Sequence, residues 1–154
     1  MRSEADPSEA DPLEAGLVAL AASRNIGALA TIKRDGRPQL STVNFTLDPS
    51  PATLRVSVVD GGAKVHNLRR DPRGSVLVTS KDGWSYAVLE GMVELSPVAA
   101  ARDDDTVEEL VVIYRAIRGV DHPDWDEYRA AMVTDRRLVF RLRVERAYGL
   151  ARNH

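Results

Sequence analysis

From Ile26 onward the apolar residues of this chain fall mostly two apart, the period of strands with one buried face. Ile26–Lys33 alternates in this way and runs into Asp35-Gly36, a dipeptide that favours a tight hairpin. The next stretch, Gln39–Leu47, sets Ser41, Val43, Phe45 and Leu47 on one face and Leu40, Thr42, Asn44 and Thr46 on the other. Asp48-Pro49-Ser50-Pro51 predicts a turn, and Thr53–Val59 a further strand with Leu54, Val56 and Val58 as a set. Ser75–Ser80 and the long Trp84–Ser96 flank a Lys81-Asp82-Gly83 turn, with Gly91 marking a bulge or a barrel-type bend. Arg137–Arg146 closes the series, with Leu138, Phe140, Leu142 and Val144 alternating against charged and polar neighbours.

One helical segment precedes this period and three break it. Asp11-Pro12 supplies a cap and a first-turn proline for a helix over Pro12–Ser23, striped by Leu13, Leu17, Leu20 and Ala21. Ala63–Arg70 is a short helix opened by Asp60-Gly61-Gly62 and stopped by Asp71-Pro72. Asp103-Asp104-Asp105 places negative charge at the start of a helix carrying Val107, Leu110, Val111, Tyr114 and Ile117. Pro123 starts the last helix, with Trp125, Tyr128, Ala131 and Met132 at helical spacing. About six strands with hairpin turns and few helices predict a mainly β fold with accessory α, its antiparallel sheet closed or nearly closed into a barrel.

Composition narrows the function. At 154 residues and 44% apolar content the chain suits one domain with a real core, placed here at residues 12–150. The Ser-Glu-Ala-Asp-Pro pentapeptide repeated over residues 3–12 cannot bury surface to offset its ordering, so residues 1–11 are expected to be a disordered acidic tail; residues 151–154 form a short C-terminal tail. A net charge of −2 offers no basic field for nucleic acid. The chain has no cysteine, which removes disulfides, thiolate nucleophiles, iron–sulfur clusters and cysteine-bound zinc. No run approaches the ~20 apolar residues of a membrane span, and an acidic start is unlike a signal peptide, so a cytoplasmic protein is expected.

The catalytic inventory is thin. The chain lacks a nucleophile elbow, a zinc-protease helix, a Walker loop and a dinucleotide fingerprint. Its histidines, His66, His122 and His154, are scattered, so no metal is expected. The chemistry-bearing segment is Asp60–Pro72. Two glycines allow close backbone approach, the helix start turns N–H groups and the positive dipole end outward, Lys64 adds a full charge, and Arg69 and Arg70 add two more nearby. Those residues fit a compact anion such as a phosphate monoester; they also fit a solvated surface loop. On Pro38–Thr46, the polar Gln39, Ser41, Thr42 and Asn44 suit either a heteroaromatic ring edge or plain solvent. Trp84 and Tyr86 suit a wall for a flat ligand, or core or interface packing. The arginines of the last strand suit a solvated or inter-subunit face.

Taken in order, these segments resemble a known family. Ile26-Gly27-x-Leu29-Ala30-Thr31, Asp35-Gly36-Arg37-Pro38-Gln39 and Lys64-x-x-Asn67-Leu68-Arg69-Arg70-Asp71-Pro72-Arg73 run as in the pyridoxamine 5′-phosphate oxidase-like, FMN-binding split β-barrel proteins. Asp82-Gly83-Trp84-Ser85-Tyr86-Ala87, Glu90-Gly91 and Trp125-x-x-Tyr128-Arg129-x-Ala131-Met132-Val133-Thr134-Asp135-Arg136-Arg137 are similar to the actinobacterial subgroup that uses the deazaflavin coenzyme F420. The resemblance spans roughly residues 13–150.

It implies a homodimer of split barrels with two cofactor sites at the subunit interface and a small-molecule substrate. It further implies Lys64 and Asn67 at the cofactor phosphate, with Ser57 on the strand leading in. Pro38, Gln39, Leu40 and Thr42 would lie beside the ring, and Trp84 and Tyr86 would come from the neighbouring subunit. Where some relatives carry a basic residue two before the lysine, this chain has Gly62, and Val65 and His66 replace residues richer in hydrogen-bonding groups. Backbone N–H groups and the helix dipole would then complete the grip. The function implied is hydride transfer between reduced F420 and a small conjugated organic substrate; an FMN-dependent oxidase and a non-catalytic flavin or deazaflavin binder are the alternatives. No catalytic side chain is assigned, since in such chemistry the reactive atom belongs to the cofactor.

Overall fold

The computed structural model describes residues 12–152, and the expectation of a disordered tail over residues 1–11 lies outside them. Twelve elements follow in order: α1 (Pro12–Ala22), β1 (Ile26–Ile32), β2 (Pro38–Asn44), β3 (Thr46–Pro49), β4 (Ala52–Val59), α2 (Ala63–Arg70), β5 (Arg73–Thr79), β6 (Tyr86–Leu95), α3 (Asp105–Arg118), α4 (Trp125–Thr134), β7 (Arg137–Arg143) and β8 (Arg146–Leu150). The strands form one antiparallel sheet in the order β2-β1-β5-β6-β7-β4-β3, with β8 paired to β6. Curled on itself, it encloses Leu29, Phe45, Leu54, Val76, Leu89, Leu138, Phe140 and Leu142, all fully buried. This is the mainly β, barrel-like antiparallel sheet that the alternation of the sequence anticipates, and the split barrel that the resemblance implies.

The eight strands exceed the expected six because two long ones are broken. The Phe45 N–H still extends the β1 ladder to the Asn25 carbonyl (2.9 Å), but from Thr46 the chain pairs with β4 in place of β1, so Gln39–Leu47 becomes β2 and β3. The final strand breaks after Arg143, where Val144 donates to Ala52 and Glu145 to Glu90 (both 2.9 Å). Strand β6 accounts for the second break. Its first half, Tyr86–Glu90, pairs with both β5 and β8, and its last residues, Val93–Leu95, pair with β7. Gly91 sits at that exchange of partners. A Cβ there would stand 2.2 Å from the Arg143 carbonyl oxygen, whereas the register with β5 runs through Gly91 unbroken. The glycine therefore serves a close backbone approach, opposite a one-residue shift in register between the β7 and β8 ladders that puts the extra residue on the partner strand.

A second core joins α3 and α4 to the outside of the barrel through Val107, Leu110, Ile113, Met132 and Val139. Asp104 caps α3 by accepting from Val107 N (2.8 Å), and Gly119 closes it at φ 73°. Asp124, not Pro123, caps α4: its side chain accepts from Glu127 N (3.1 Å), leaving the proline outside the helix. Leu13, expected on the buried stripe of α1, is instead 57% exposed, and Leu17 and Ala21 carry the contact. The arginines of the last strand are not a free solvated row either. Arg141 pairs with Glu109 of α3 and with Glu94 (3.0 Å), and Arg137 donates to the Ser57 carbonyl (3.4 Å). No helix among the described residues is long and apolar enough to cross a membrane.

Candidate functional site

The chain reverses between β4 and α2 through Asp60-Gly61-Gly62. Gly61 takes φ 88°, a left-handed conformation that favours glycine, and Gly62 caps the helix with extended backbone and no side-chain bond. The first N–H groups of α2 consequently lack a side-chain acceptor and point out of the helix at its positive end. Lys64 lies in this first turn, half-buried, and its ammonium makes no ion pair or hydrogen bond with any described residue. An uncapped helix start beside an unpartnered lysine can hold a compact anion.

The same reversal is braced from behind. The Asp60 carboxylate takes ion pairs from Arg69 of α2 (2.8 Å) and from Arg136 (2.7 Å), and the Asp60 N–H donates to the Arg136 carbonyl (2.9 Å). The Arg136 and Arg69 guanidinium groups hold this carboxyl below its ordinary value. Arg136 is the one non-glycine residue with positive φ among the described residues, at 54°, which turns the chain from α4 into β7 and aims the side chain back at the loop. At the other end of α2, Asp71 is lowered to about 2, first by the side chain of Arg73.

One turn beyond Lys64, Asn67 is buried and turned inward. Its Nδ2 donates to Thr31 Oγ1 (3.1 Å) and to Gln39 Oε1 (3.4 Å), and its Oδ1 accepts from Arg70 Nη2 (3.3 Å). Thr31 Oγ1 in turn donates to Gln39 Oε1 (3.2 Å). The structure thus brings together Asn67 and Gln39, two of the anticipated residues, next to Lys64. Thr31 completes the group without having been singled out from the sequence, and Arg70, expected as a charge at the anion seat, turns to Asn67 and the Ile32 carbonyl. Thr31 is detectable as a polar residue at an inward position of β1, in register with Gln39. Neither the bond of Arg70 to the Ile32 carbonyl, 38 residues away, nor the pairing of Arg136 with Asp60, 76 residues away, carries a sequence signal.

The remaining anticipated residues are more dispersed. Strand alternation divides Pro38–Thr42: Gln39 shares the inner side of β2 with Ser41 and Val43, and Pro38, Leu40 and Thr42 are exposed on the outer side. Ser57 lies on β4, with its carbonyl accepting from Arg137. Within one chain Trp84 and Tyr86 stand apart from this group. Gln39 faces Thr31 at one end of β1, whereas β5 runs past Ala28 at Leu77 toward the hairpin bearing Trp84. That is most of a seven-residue strand, about 20 Å. Trp84 is 64% exposed, with the Arg152 guanidinium over its ring at 5.4 Å. The outer face of the sheet is also apolar: Ile26, Leu40, Leu77, Tyr86, Tyr148 and Leu150 are all exposed. Among the described residues no cluster of three or more histidine, cysteine or carboxylate side chains could hold a metal ion.

Comparison with known proteins agrees with this architecture. The family model described as pyridoxamine 5′-phosphate oxidase matches residues 13–151. An F420H(2)-dependent biliverdin reductase from Mycobacterium tuberculosis is 28% identical over 134 residues, covering 87% of this chain and 85% of the relative. Among solved structures, a conserved hypothetical protein from the same organism superposes with a TM-score of 0.69 at 22% identity, over 97% of this chain and 89% of its own. A structure described as F420 reductase gives 0.66 at 23% identity, over 86% of this chain and 96% of that one. These two likenesses establish the split-barrel fold.

Proposed function

Because the chain belongs to the pyridoxamine 5′-phosphate oxidase family, we propose that it is an oxidoreductase using the deazaflavin coenzyme F420, acting on a small conjugated organic substrate. The observation that carries this reading is the uncapped N-terminus of α2 with the unpartnered Lys64 in its first turn, a ready seat for the cofactor phosphate. The similarity over 87% of the chain to a relative named for its F420H(2) dependence favours the deazaflavin over FMN. The bound deazaflavin supplies or takes up the hydride. The protein's part is to anchor and orient it: Lys64 and the α2 N–H groups at the phosphate, with Asn67 and Ser57 beside them and Pro38, Gln39, Leu40 and Thr42 along the ring. Gly62, lacking a basic side chain, leaves the backbone to do what a second cation would do.

The active unit in this reading is a homodimer. The exposed apolar face over β1, β2, β5, β6 and β8 is the surface a second copy would cover, and a two-fold pairing lets Trp84 and Tyr86 of one subunit reach the site of the other. Titrating the purified protein with F420 and with FMN, followed by fluorescence, tests the cofactor. Binding of F420 below about 100 μM, a free energy of about −5.5 kcal/mol, and tighter than FMN, is the expected result. Tighter FMN binding would transfer the reading to an FMN-dependent oxidase. Binding without turnover of any conjugated acceptor would leave a carrier in place of an enzyme.

A further inference from the structure

Arginine can only donate hydrogen bonds, and that fact orients every polar group around Asn67. Arg70 Nη2 reaches Asn67 Oδ1 at 3.3 Å and also donates to the Ile32 carbonyl, so the oxygen of the Asn67 amide must face Arg70. Its nitrogen then faces Thr31 and Gln39, where both hydrogens are used. Gln39 is left to present its oxygen inward, where it accepts from Asn67 and from Thr31. Its Nε2 has no partner among the described residues and is not among the buried unpaired atoms, so it opens to solvent. Asn67 stands one helical turn after Lys64, about 5–6 Å away between Cβ atoms. The free donor of Gln39 is therefore presented next to the anion seat.

We infer that Arg70, acting through the buried Asn67 amide, fixes Gln39 with its N–H₂ outward, so that the site selects a ligand bearing an acceptor oxygen or nitrogen beside the anion held at Lys64. Arg70, Asn67 and Thr31 are positioning residues in this scheme, and Gln39 is the group that touches the ligand. Turning over the Asn67 amide would set two donors against each other at Arg70, and turning over Gln39 alone would set its N–H₂ against that of Asn67. The Thr31 hydroxyl, donor and acceptor, fits either, and at 1% exposure it brings no water to relieve the clash. The inference rests on the cofactor reading only for the identity of the ligand.

Two measurements on the full-length protein separate the parts. By NMR, the Asn67 side-chain amide hydrogens should exchange slowly with solvent and those of Gln39 quickly, and Arg70→Met should abolish the protection at Asn67. Rapid exchange at Asn67 in the native protein removes the relay, whatever ligand binds. In F420 titrations, Gln39→Glu keeps the inward acceptor but replaces the outward donor, and should raise the dissociation constant at least tenfold with little change in unfolding midpoint. Asn67→Asp, which retains the pairing with Arg70 but inverts Gln39, should weaken binding similarly in the native background and less than twofold in a Gln39→Ala background. Native-like binding by Gln39→Glu overturns the inference, as does an Asn67→Asp effect of equal size in both backgrounds, which would mean that the new charge acts on the ligand directly. A native protein that binds neither F420 nor FMN removes the cofactor reading, and the exchange measurement still decides the relay.

Discussion

Asp60 and Arg136 meet in a 2.7 Å ion pair across 76 residues of chain, tying the turn before β7 to the loop that opens α2. Arg69 reaches the same carboxylate from within α2, so one aspartate fixes both sides of the reversal. Asp60→Asn should lower the thermal unfolding midpoint and weaken F420 binding, because the N–H groups of α2 lose their bracing. The sign with pH follows from the depressed pKa. Stability from this group is present above its ordinary value of 3.8 and is lost as pH falls below it. The midpoint gap between the native protein and Asp60→Asn, followed by circular dichroism, should thus narrow below pH 3.8. A gap constant down to pH 2 would contradict the pairing.

Lys64 offers a cleaner separation of binding from folding. Its ammonium has no partner among the described residues, so Lys64→Ala should leave the unfolding midpoint close to native. Cofactor affinity should fall by about 1.5–3 kcal/mol, the scale of a charged hydrogen bond, or roughly 10- to 150-fold. Lys64→Arg should recover part of the loss. An unchanged dissociation constant in Lys64→Ala would rule out the anchor.

What the sequence made legible divides along the range of the interactions. Helix α2 was readable to its ends, because Gly61, Gly62, Asp71 and Pro72 act on their immediate neighbours. The strand count was not, because the chain changes partner strands after Phe45, from β1 to β4, and after Val144, from β4 to β6, which no local pattern reveals. The same holds for the site. Lys64, Asn67 and Gln39 were singled out by residue type and resemblance, and the inward turn of Asn67 came only with Thr31 and Arg70 packed around it. Periodicity placed Gln39 and Leu40 on opposite faces from the start, although both were expected to line one ring.

Gly91 tests the partner exchange on which the split of the barrel depends. Substitution by alanine would put a methyl group 2.2 Å from the Arg143 carbonyl oxygen, and backbone on either side would have to shift. Gly91→Ala should destabilise by about 3 kcal/mol or more, read as a lower denaturant midpoint. Gly16→Ala, with open space around its Cβ, is the control and should be neutral or slightly stabilising.

Glu109 holds α3 against the barrel. Its carboxylate accepts from Arg141 (Nε at 2.8 Å, and Nη2) and lies 3.1 Å from Arg55 Nε, joining α3 to β7 and β4. Arg141 lowers its pKa most, against a smaller opposing effect of burial. Glu109→Gln should cost about 1–2 kcal/mol, reduced from the buried-pair scale because both arginines keep contact with solvent. The difference should be full above pH 4.5 and shrink as the medium is acidified below it. Loss of the difference at neutral pH in high salt would reduce the pair to a screened surface contact.

The last prediction concerns the outer face of the sheet, where geometry and cofactor reading meet. Leu77 is 40% exposed at the centre of the face, with Ala28 and Val88 as its cross-strand neighbours. A glutamate there costs a folded monomer little, since the position already faces water. It costs a dimer a buried, unpaired charge. Leu77→Glu should therefore convert a dimer to a monomer in sedimentation velocity with a near-native circular dichroism spectrum. It should also abolish F420 binding, although Leu77 lies strands away from Lys64, because Trp84 and Tyr86 would no longer be delivered by a second subunit. A monomeric Leu77→Glu that binds F420 normally would place the whole site within one chain and remove the two aromatic residues from it.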